Sequence, residues 1–264
     1  MTGSLVEREL RDGILRLTLN DPATRNSLSS AMMGALAGAL ADAAGEPQIR
    51  VIIIAAIGPA YSSGHNLKEI TAHRSDGDGG RAFFNRLMDQ CRTLMLSIVG
   101  HEKPVIAQVQ GIASAAGCQL VASCDLAVAS ENASFCTPGV DIGLFCSTPM
   151  VALSRNVAPK HAMEMLLTGD AIGADEALRL GLINRVSPAN RLAEDADELA
   201  RKVASKSMAT VKLGKHAFYR QLDMPLADAY AYASGVMVEN LLLKDAEEGI
   251  GAFIEKRRPN WQDR

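Results

Sequence analysis

The 264 residues of this chain are enough for one large domain or for a core with an appendage. A formal net charge of −3 at pH 7 gives no basic surface for a polyanion, so we expect no nucleic-acid partner. No apolar run approaches the ~18 residues that a transmembrane helix needs, so we expect no membrane span. Aromatic residues make up only 4% of the chain, which leaves aliphatic side chains and methionine to form the core.

The first hundred residues alternate predicted strands and helices. Residues 6–19 predict a β-hairpin with an Asp-Gly turn, and residues 28–45 predict a helix with an apolar residue every fourth position. Residues 49–56 are an uninterrupted apolar run, which is typical of a strand buried on both faces. We interpret residues 58–66 as a loop and residues 82–99 as a helix.

The alternation continues and then stops. Strands are predicted at 105–109 and 126–129, with a helix of small residues at 113–123 between them, which indicates a layered α/β core. After residue 191 the pattern predicts only helices, at 192–205, 208–221, 226–243 and 246–256. This tail is too thin to bury its own apolar side chains, so we expect it to pack on the core or on another subunit.

Neither the cysteine spacing nor any cofactor-binding motif indicates a metal ion or a prosthetic group. The five cysteines lack CxxC or Cys/His ligand spacing, so we expect reduced thiols, no disulfide scaffold and no metal site. The sequence has no P-loop, no dinucleotide fingerprint and no G-x-S-x-G elbow, so we expect no nicotinamide or flavin. The start MTGSLVEREL lacks a signal-peptide core and a transit-peptide pattern, and we expect a cytoplasmic location.

Five segments in order carry a family resemblance: Arg25–Leu28, Tyr61–Leu67, the block Lys103–Gly143, Met163–Gly169 with Ala177–Asn184, and Phe253–Arg257. On these segments the chain resembles the crotonase superfamily, the enoyl-CoA hydratase/isomerase family, over essentially its whole length. The resemblance implies an α/β spiral of ββα units at 1–190 that binds a CoA thioester. It also implies a helical trimerisation region at 191–264, with a homotrimer or a hexamer as the assembly.

The same resemblance implies an oxyanion hole. This family stabilises an enolate-like thioester with two backbone N–H groups, and the resemblance places them at Ser63 and Ala116. Because the donors are backbone groups, side-chain changes at these positions remove neither of them. Without the family context, Ser63 is a loop serine that satisfies turn hydrogen bonds, and Ala116 is a packing alanine.

The positions of the two hydratase glutamates align with Gln119 and Gly139, so the chain resembles a hydratase-domain-containing subgroup that lacks both. A glutamine can position a water but cannot take its proton, and glycine has no side chain. We therefore expect weak crotonyl-CoA hydration, partly restored by Gln119→Glu with Gly139→Glu. Asp141 is the candidate replacement acid or base, while His65 and Cys118 are more typical of structural residues.

Basic residues that could bind the CoA phosphates are Arg25, Lys68 and Lys256, each of which can equally be a solvated surface charge. The resemblance implies an acyl-CoA-binding protein, nominally an enoyl-CoA hydratase of fatty acid metabolism, with coenzyme A as part of the substrate and no separate cofactor. Two alternatives remain open. One is a non-catalytic acyl-CoA binding or assembly protein, and the other is a different enolate-stabilising reaction, such as decarboxylation or thioester hydrolysis.

Overall fold

The computed structural model describes residues 3–264, which alternate strands and helices up to residue 187 and are helical after it. The strands in this range are β1 (Val6–Arg11), β2 (Ile14–Leu19), β3 (Val51–Ala56), β4 (Ala60–Ser62), β5 (Val105–Val109), β6 (Ile112–Ser114), β7 (Leu126–Ser130), β8 (Ser134–Cys136), β9 (Ile172–Gly173) and β10 (Arg185–Ser187). The α-helices are α1 (Ser30–Ala44), α2 (Leu67–Ala72), α3 (Arg81–Val99), α4 (Ala116–Ser123), α5 (Pro149–Asn156), α6 (Pro159–Thr168), α7 (Ala174–Arg179), α8 (Leu192–Ala204), α9 (Met208–Gln221), α10 (Leu226–Leu241) and α11 (Lys244–Ile254).

Six strands form a large sheet in the order β1-β2-β3-β5-β7-β10. β1 and β2 are the predicted antiparallel hairpin, and the other neighbours are parallel. Side chains of the central strand β3 alternate between two hydrophobic clusters: Ile52 and Ile54 pack with α1 and α3, whereas Val51 and Ile53 pack under α8. Burial on both faces explains why this strand shows no polar alternation in sequence.

A second, smaller sheet has the order β4-β6-β8-β9. Each of three successive units gives one strand to the large sheet and the next strand to the small sheet before a helix follows: β3-β4-α2, β5-β6-α4 and β7-β8-α5. This repeated ββα order confirms the mixed α/β architecture that the resemblance implied. It also brings the loop after β4 beside the start of α4.

Two local predictions differ from the structure. The predicted loop at 58–66 contains β4, and the predicted helix at 113–123 begins only at Ala116 because β6 occupies Ile112–Ser114. Strands of three residues are too short to display a period of two. Their backbone pairs with neighbours that are distant in sequence, as in the parallel register of Ala113 with Phe135. Tertiary pairing therefore decides these segments.

The helical tail begins with a helix that covers the large sheet. Leu192, Ala196 and Leu199 of α8 are buried against β3, β5 and β7, as the apolar stripe of an amphipathic helix requires. The helices α9, α10 and α11 follow and contact one another. The tail thus packs on the core through α8, one of the two alternatives that the sequence left open.

A buried ionic cluster ties α9 to the core. Asp125 accepts hydrogen bonds from Lys215 Nζ and the Val105 N–H, both at 2.7 Å, and from the Tyr219 hydroxyl at 2.9 Å. The side chains of Asp125 and Lys215 are 15% and 8% exposed, so each charge depends on its partner for compensation. Burial, with the nearby carboxylate, raises the pKa of Tyr219.

Among the helices of residues 3–264, none combines the length and the apolar character needed to cross a membrane.

Candidate active site

A cavity of about 730 Å³ lies between α2, α3, the start of α4 and the segment 138–149. Cavities of roughly 300–1,000 Å³ are the usual size for small organic ligands. Most of its surface is apolar and includes Ile70, Phe84, Leu87 and Met88. One wall of the cavity is formed by residues 63–65 and 114–116, whose backbone groups are polar. We call these two segments the donor wall.

Gly64 lets the two segments of the donor wall meet. Its φ is +86°, and a Cβ on this residue would lie 3.0 Å from the Ser114 carbonyl oxygen and 3.3 Å from the Ala116 amide nitrogen. Glycine alone adopts this dihedral readily and leaves this space free. The backbone of Gly64 therefore passes close to the Ala116 N–H.

Ala116 is the first residue of α4, where backbone N–H groups have no partner within the helix. A reversal at Ala115, with φ 50° and ψ −116°, turns the chain from β6 into α4. The Ala115 N–H donates to the Cys136 carbonyl at 2.9 Å, which anchors this reversal. The Ala116 N–H has no acceptor within residues 3–264, and the helix N-terminus adds partial positive charge beside it.

The Ser63 N–H is already used inside the chain. It donates to the Arg25 carbonyl at 3.0 Å, and the Ser63 hydroxyl donates to the Thr24 carbonyl at 3.2 Å. Two residues later, the backbone N–H of His65 has no acceptor in the described part of the chain. A donor that is bonded internally is not free for a ligand, so the geometry favours His65 over Ser63 as the partner of Ala116. Residue type could not reveal this, since both donors are backbone groups.

Gln119 lies on α4 but does not line the cavity. It is buried, and its Oε1 accepts the Sγ–H of Cys91 on α3 at 3.8 Å. That contact directs the side-chain carbonyl toward α3, so it does not hold a water in the cavity.

Gly139 does line the cavity, in a 3₁₀ helix over Pro138–Ile142. A Cβ there would lie 2.8 Å from the Leu144 carbonyl oxygen and 2.9 Å from Cys146 Sγ. The Leu144 N–H also donates to the Gly139 carbonyl at 2.9 Å, which holds the following loop against the glycine. Any side chain at this position requires that loop to move.

Asp141 lines the same cavity and is exposed to solvent. The basic residues predicted for CoA binding lie elsewhere: Arg25 and Lys68 are exposed outside the cavity lining, and Lys256 follows the end of α11. Arg74 is the one lysine or arginine among the lining residues of the described chain. The sequence did not identify Arg74 as a candidate binding residue, because no motif around it distinguishes it from an ordinary surface charge.

All five cysteines are buried and unpaired as disulfides. Burial raises the pKa of each thiol, to about 11 for Cys91, and it is the largest cause for every one of them. Thiolate is therefore scarce at neutral pH, and Cys118 lies outside the cavity lining. Residues 3–264 contain no group of three or more His, Cys, Asp or Glu side chains arranged to hold a metal ion.

The repeated ββα units, with free backbone donors on the wall of an apolar cavity, define an α/β protein of the crotonase type. The chain belongs to the enoyl-CoA hydratase/isomerase family, whose model matches residues 9–264.

Relatives support the assignment over nearly the full length. The rat "Enoyl-CoA hydratase domain-containing protein 3, mitochondrial" is 51% identical, and the match covers 97% of this chain and 84% of the relative. The crystal structure of human enoyl-CoA hydratase domain-containing protein 3 has a TM-score of 0.93 at 48% identity, covering 97% of this chain and 100% of that one. An enoyl-CoA hydratase structure from Mycobacterium smegmatis has a TM-score of 0.93 at 45% identity, covering 97% and 98%.

The predicted cytoplasmic location is contradicted by these relatives. Five of them, from rat, mouse, human, Xenopus laevis and Danio rerio, are 45–51% identical and carry "mitochondrial" in their names. Reduced thiols suit either compartment, so cysteine usage could not distinguish the two.

Proposed function

We propose that the cavity binds an acyl-CoA thioester and holds its carbonyl oxygen between the backbone N–H groups of His65 and Ala116. The observation that carries the proposal is the pair of neighbouring N–H groups without acceptors at the wall of an apolar cavity. Donors that already point at a developing oxyanion stabilise it without reorganisation. The apolar side chains of α2 and α3 then accommodate the acyl group.

The nominal reaction is that of an enoyl-CoA hydratase or isomerase, with weak hydration by the two-glutamate route. General acid and base groups each contribute about 10² to 10⁴-fold. Gln119 cannot accept a proton, and its side chain contacts Cys91 instead of the cavity. Gly139 supplies no side chain. Asp141 remains the carboxylate that can take part, because it lines the cavity.

Two other functions fit the same donor wall. The orientation of Gln119 supports a non-catalytic acyl-CoA binding or assembly protein, since the site then lacks a group for water activation. The intact pair of backbone donors supports a reaction that depends mainly on enolate stabilisation, such as decarboxylation or thioester hydrolysis.

The charged part of CoA needs cations near the mouth of the cavity. Two of the predicted basic residues adjoin the donor wall: the Arg25 carbonyl accepts the Ser63 N–H, and Lys68 lies in the first turn of α2, three residues after His65. Lys256 remains a candidate at the end of α11. Each of these assignments is a proposal from the resemblance, with solvated surface charge as the alternative.

We also propose that residues 191–264 mediate a homotrimer, or a hexamer formed by two trimers. Several large apolar side chains of this region are more than two thirds exposed, including Leu226, Leu242, Phe253 and Ile254. Large apolar side chains left this exposed are expected to be covered by another subunit if they lie together on one surface. Light scattering coupled to size exclusion should give three or six times the 28.0 kDa chain mass, whereas a monomer would contradict the proposal.

A calorimetric titration with two ligands tests the binding proposal. Butyryl-CoA has the thioester carbonyl, while the thioether S-butyl-CoA has the same length without it. Two hydrogen bonds of about 0.5–1.5 kcal/mol each predict that the thioester binds roughly 5- to 150-fold more tightly. Equal affinities would refute the role of the donor wall, and no binding of either ligand would refute an acyl-CoA site.

A further inference from the structure

Arg74 is a cation in the lining of a mostly apolar cavity, and no neighbouring acid neutralises it. It is exposed, and its side chain makes neither an ion pair nor a hydrogen bond with residues 3–264. Asp76, two residues further on, pairs with Nδ1 of His73 at 2.8 Å. Asp78 accepts two backbone N–H groups at the start of α3, at 3.0 and 2.8 Å. Both nearby carboxylates are therefore bonded elsewhere, which leaves the guanidinium available to a ligand.

One carboxylate shares the cavity lining with Arg74 but does not pair with it. Asp141 lies in the 3₁₀ helix Pro138–Ile142, and its Oδ2 is 3.2 Å from the position of a Cβ on Gly169, the residue that ends α6. This oxygen is therefore directed at the end of α6. The cavity lining thus contains one positive and one negative side chain that form no ion pair with each other.

The distance of Arg74 from the donor wall follows from the helix between them. Leu67, Ile70 and Arg74 all line the cavity, and their spacing of three and four residues places them on one face of α2 and of the 3₁₀ turn His73–Ser75 that continues it. Leu67 begins α2 two residues after His65. At a rise of about 1.5 Å per residue, Arg74 lies about 10 Å beyond Leu67 along this face. A ligand whose carbonyl is held at the donor wall therefore meets Arg74 only with its far end.

The turn that carries Arg74 is fixed against α3. The ring of His73 stacks on Phe83, with centroids 3.8 Å apart and an interplanar angle of 15°. A Cβ on Gly80 would lie 2.7 Å from the His73 carbonyl oxygen and 2.6 Å from the ring of Phe84, so the chain returns closely along the turn. The backbone of Arg74 is thus held at the cavity, while its own side chain is free to reach a bound ligand.

We propose that Arg74 binds a carboxylate at the far end of the acyl chain, so that the site takes the CoA thioester of a dicarboxylic acid. The inference rests on the proposed function. A carboxylate in an apolar cavity is strongly destabilised unless it is paired. The planar guanidinium offsets this cost, because it donates two parallel hydrogen bonds to a carboxylate. Ile70, Phe84 and Leu87 then contact the methylene groups between the two ends of the acyl chain.

Calorimetric titration with matched ligand pairs tests the inference. The pairs are glutaryl- and pentanoyl-CoA, adipyl- and hexanoyl-CoA, and suberyl- and octanoyl-CoA; the two members of a pair have equally many acyl carbons and differ in a terminal carboxylate or methyl group. In at least one pair the wild type should bind the dicarboxylic member at least as tightly as its partner. Arg74→Met removes the guanidinium and should weaken binding of that dicarboxylic ligand roughly 10- to 150-fold. The Kd of its monocarboxylic partner should stay within about threefold.

Two further variants complete the comparison. Arg86→Met removes an exposed arginine of α3 that does not line the cavity, and it should bind all six ligands like the wild type. Arg74→Lys keeps the positive charge without the planar pair of donors, so it should weaken the dicarboxylic ligand less than Arg74→Met does.

Three results would overturn the inference. In the wild type, which needs no variant to fold, the dicarboxylic member could bind more weakly than its partner in every pair. Arg74→Met could leave the Kd of the dicarboxylic ligand unchanged. It could also weaken both members of a pair equally, which would indicate that Arg74 binds a phosphate of CoA. Absence of binding of any of the six ligands by the wild type would instead overturn the proposed function, and the inference with it.

Discussion

Gly139→Ala is the substitution that best tests how the cavity wall is built. The added Cβ would lie 2.8 Å from the Leu144 carbonyl oxygen and 2.9 Å from Cys146 Sγ. The first of these atoms belongs to the backbone, so the loop itself must shift. Overpacking of this kind costs about 1–3 kcal/mol. At roughly 2–4 °C per kcal/mol for a chain near this size, we expect Tm to fall by about 2–12 °C.

Differential scanning calorimetry of Gly139→Ala and Gly38→Ala gives the comparison. A Cβ on Gly38, in the exposed face of α1, meets no atom within 4 Å. Alanine there should stabilise the helix by roughly 0.5–1 kcal/mol. A Tm for Gly139→Ala equal to or above that of the wild type would show that the 144–146 loop moves freely, and the steric reasoning would fail.

The same geometry changes the expectation for restored hydration. A glutamate at position 139 would displace the loop that lines the cavity. A glutamate at position 119 would take the place of a side chain that points toward Cys91 and away from the cavity. We therefore expect Gln119→Glu with Gly139→Glu to gain no hydration of crotonyl-CoA. A clear gain in a spectrophotometric hydration assay would support the sequence expectation and contradict this structural argument.

The remaining predictions concern packing and the thiols. Asp125→Asn leaves Lys215 without its charge partner and should lower the free energy of unfolding in urea by about 3–5 kcal/mol. The control Glu102→Gln breaks an exposed ion pair and should change that free energy by less than about 1 kcal/mol. Equal effects of the two substitutions would contradict the stabilising role of the Asp125 cluster. In Gly117→Ala the added Cβ would lie 2.3 Å from a backbone oxygen of β4, so we expect both weaker butyryl-CoA binding and a lower Tm. An unchanged Kd and an unchanged Tm would contradict the tight packing of α4 on β4. The five cysteine thiols are buried and their pKa values are raised, so they should react slowly with a disulfide reagent at pH 7.5 in the native protein. They should react fast after denaturation. Rapid labelling of all five in the native protein would contradict their burial.

The long elements were predictable because their patterns repeat within each segment. The apolar run that forms β3 and the helices α8 to α11 all appear in the sequence within one or two residues of their observed ends. The short strands β4 and β6 were not predictable, since three residues show no period and their pairing partners are far away in sequence. The reversal at Ala115 was equally hidden, because alanine gives no signal for a positive φ.

The donor wall was predictable only in part. Ala116 was named only through the family resemblance, because the small-residue pattern by itself indicates a packing alanine. The choice between Ser63 and His65 depends on which N–H finds an internal acceptor, and the Arg25 carbonyl reaches Ser63 only in the folded chain. The direction of Gln119 likewise depends on Cys91, which lies on another helix. Such contacts are tertiary, so no local pattern encodes them.

A crystal structure with bound butyryl-CoA would test the central claim most directly. We predict that the thioester oxygen lies about 2.7–3.1 Å from the backbone nitrogens of both His65 and Ala116, the distance range of an oxyanion hole. Ser63 should keep its hydrogen bond to the Arg25 carbonyl. A thioester oxygen bound elsewhere, or bound by the Ser63 N–H after that bond breaks, would contradict the account.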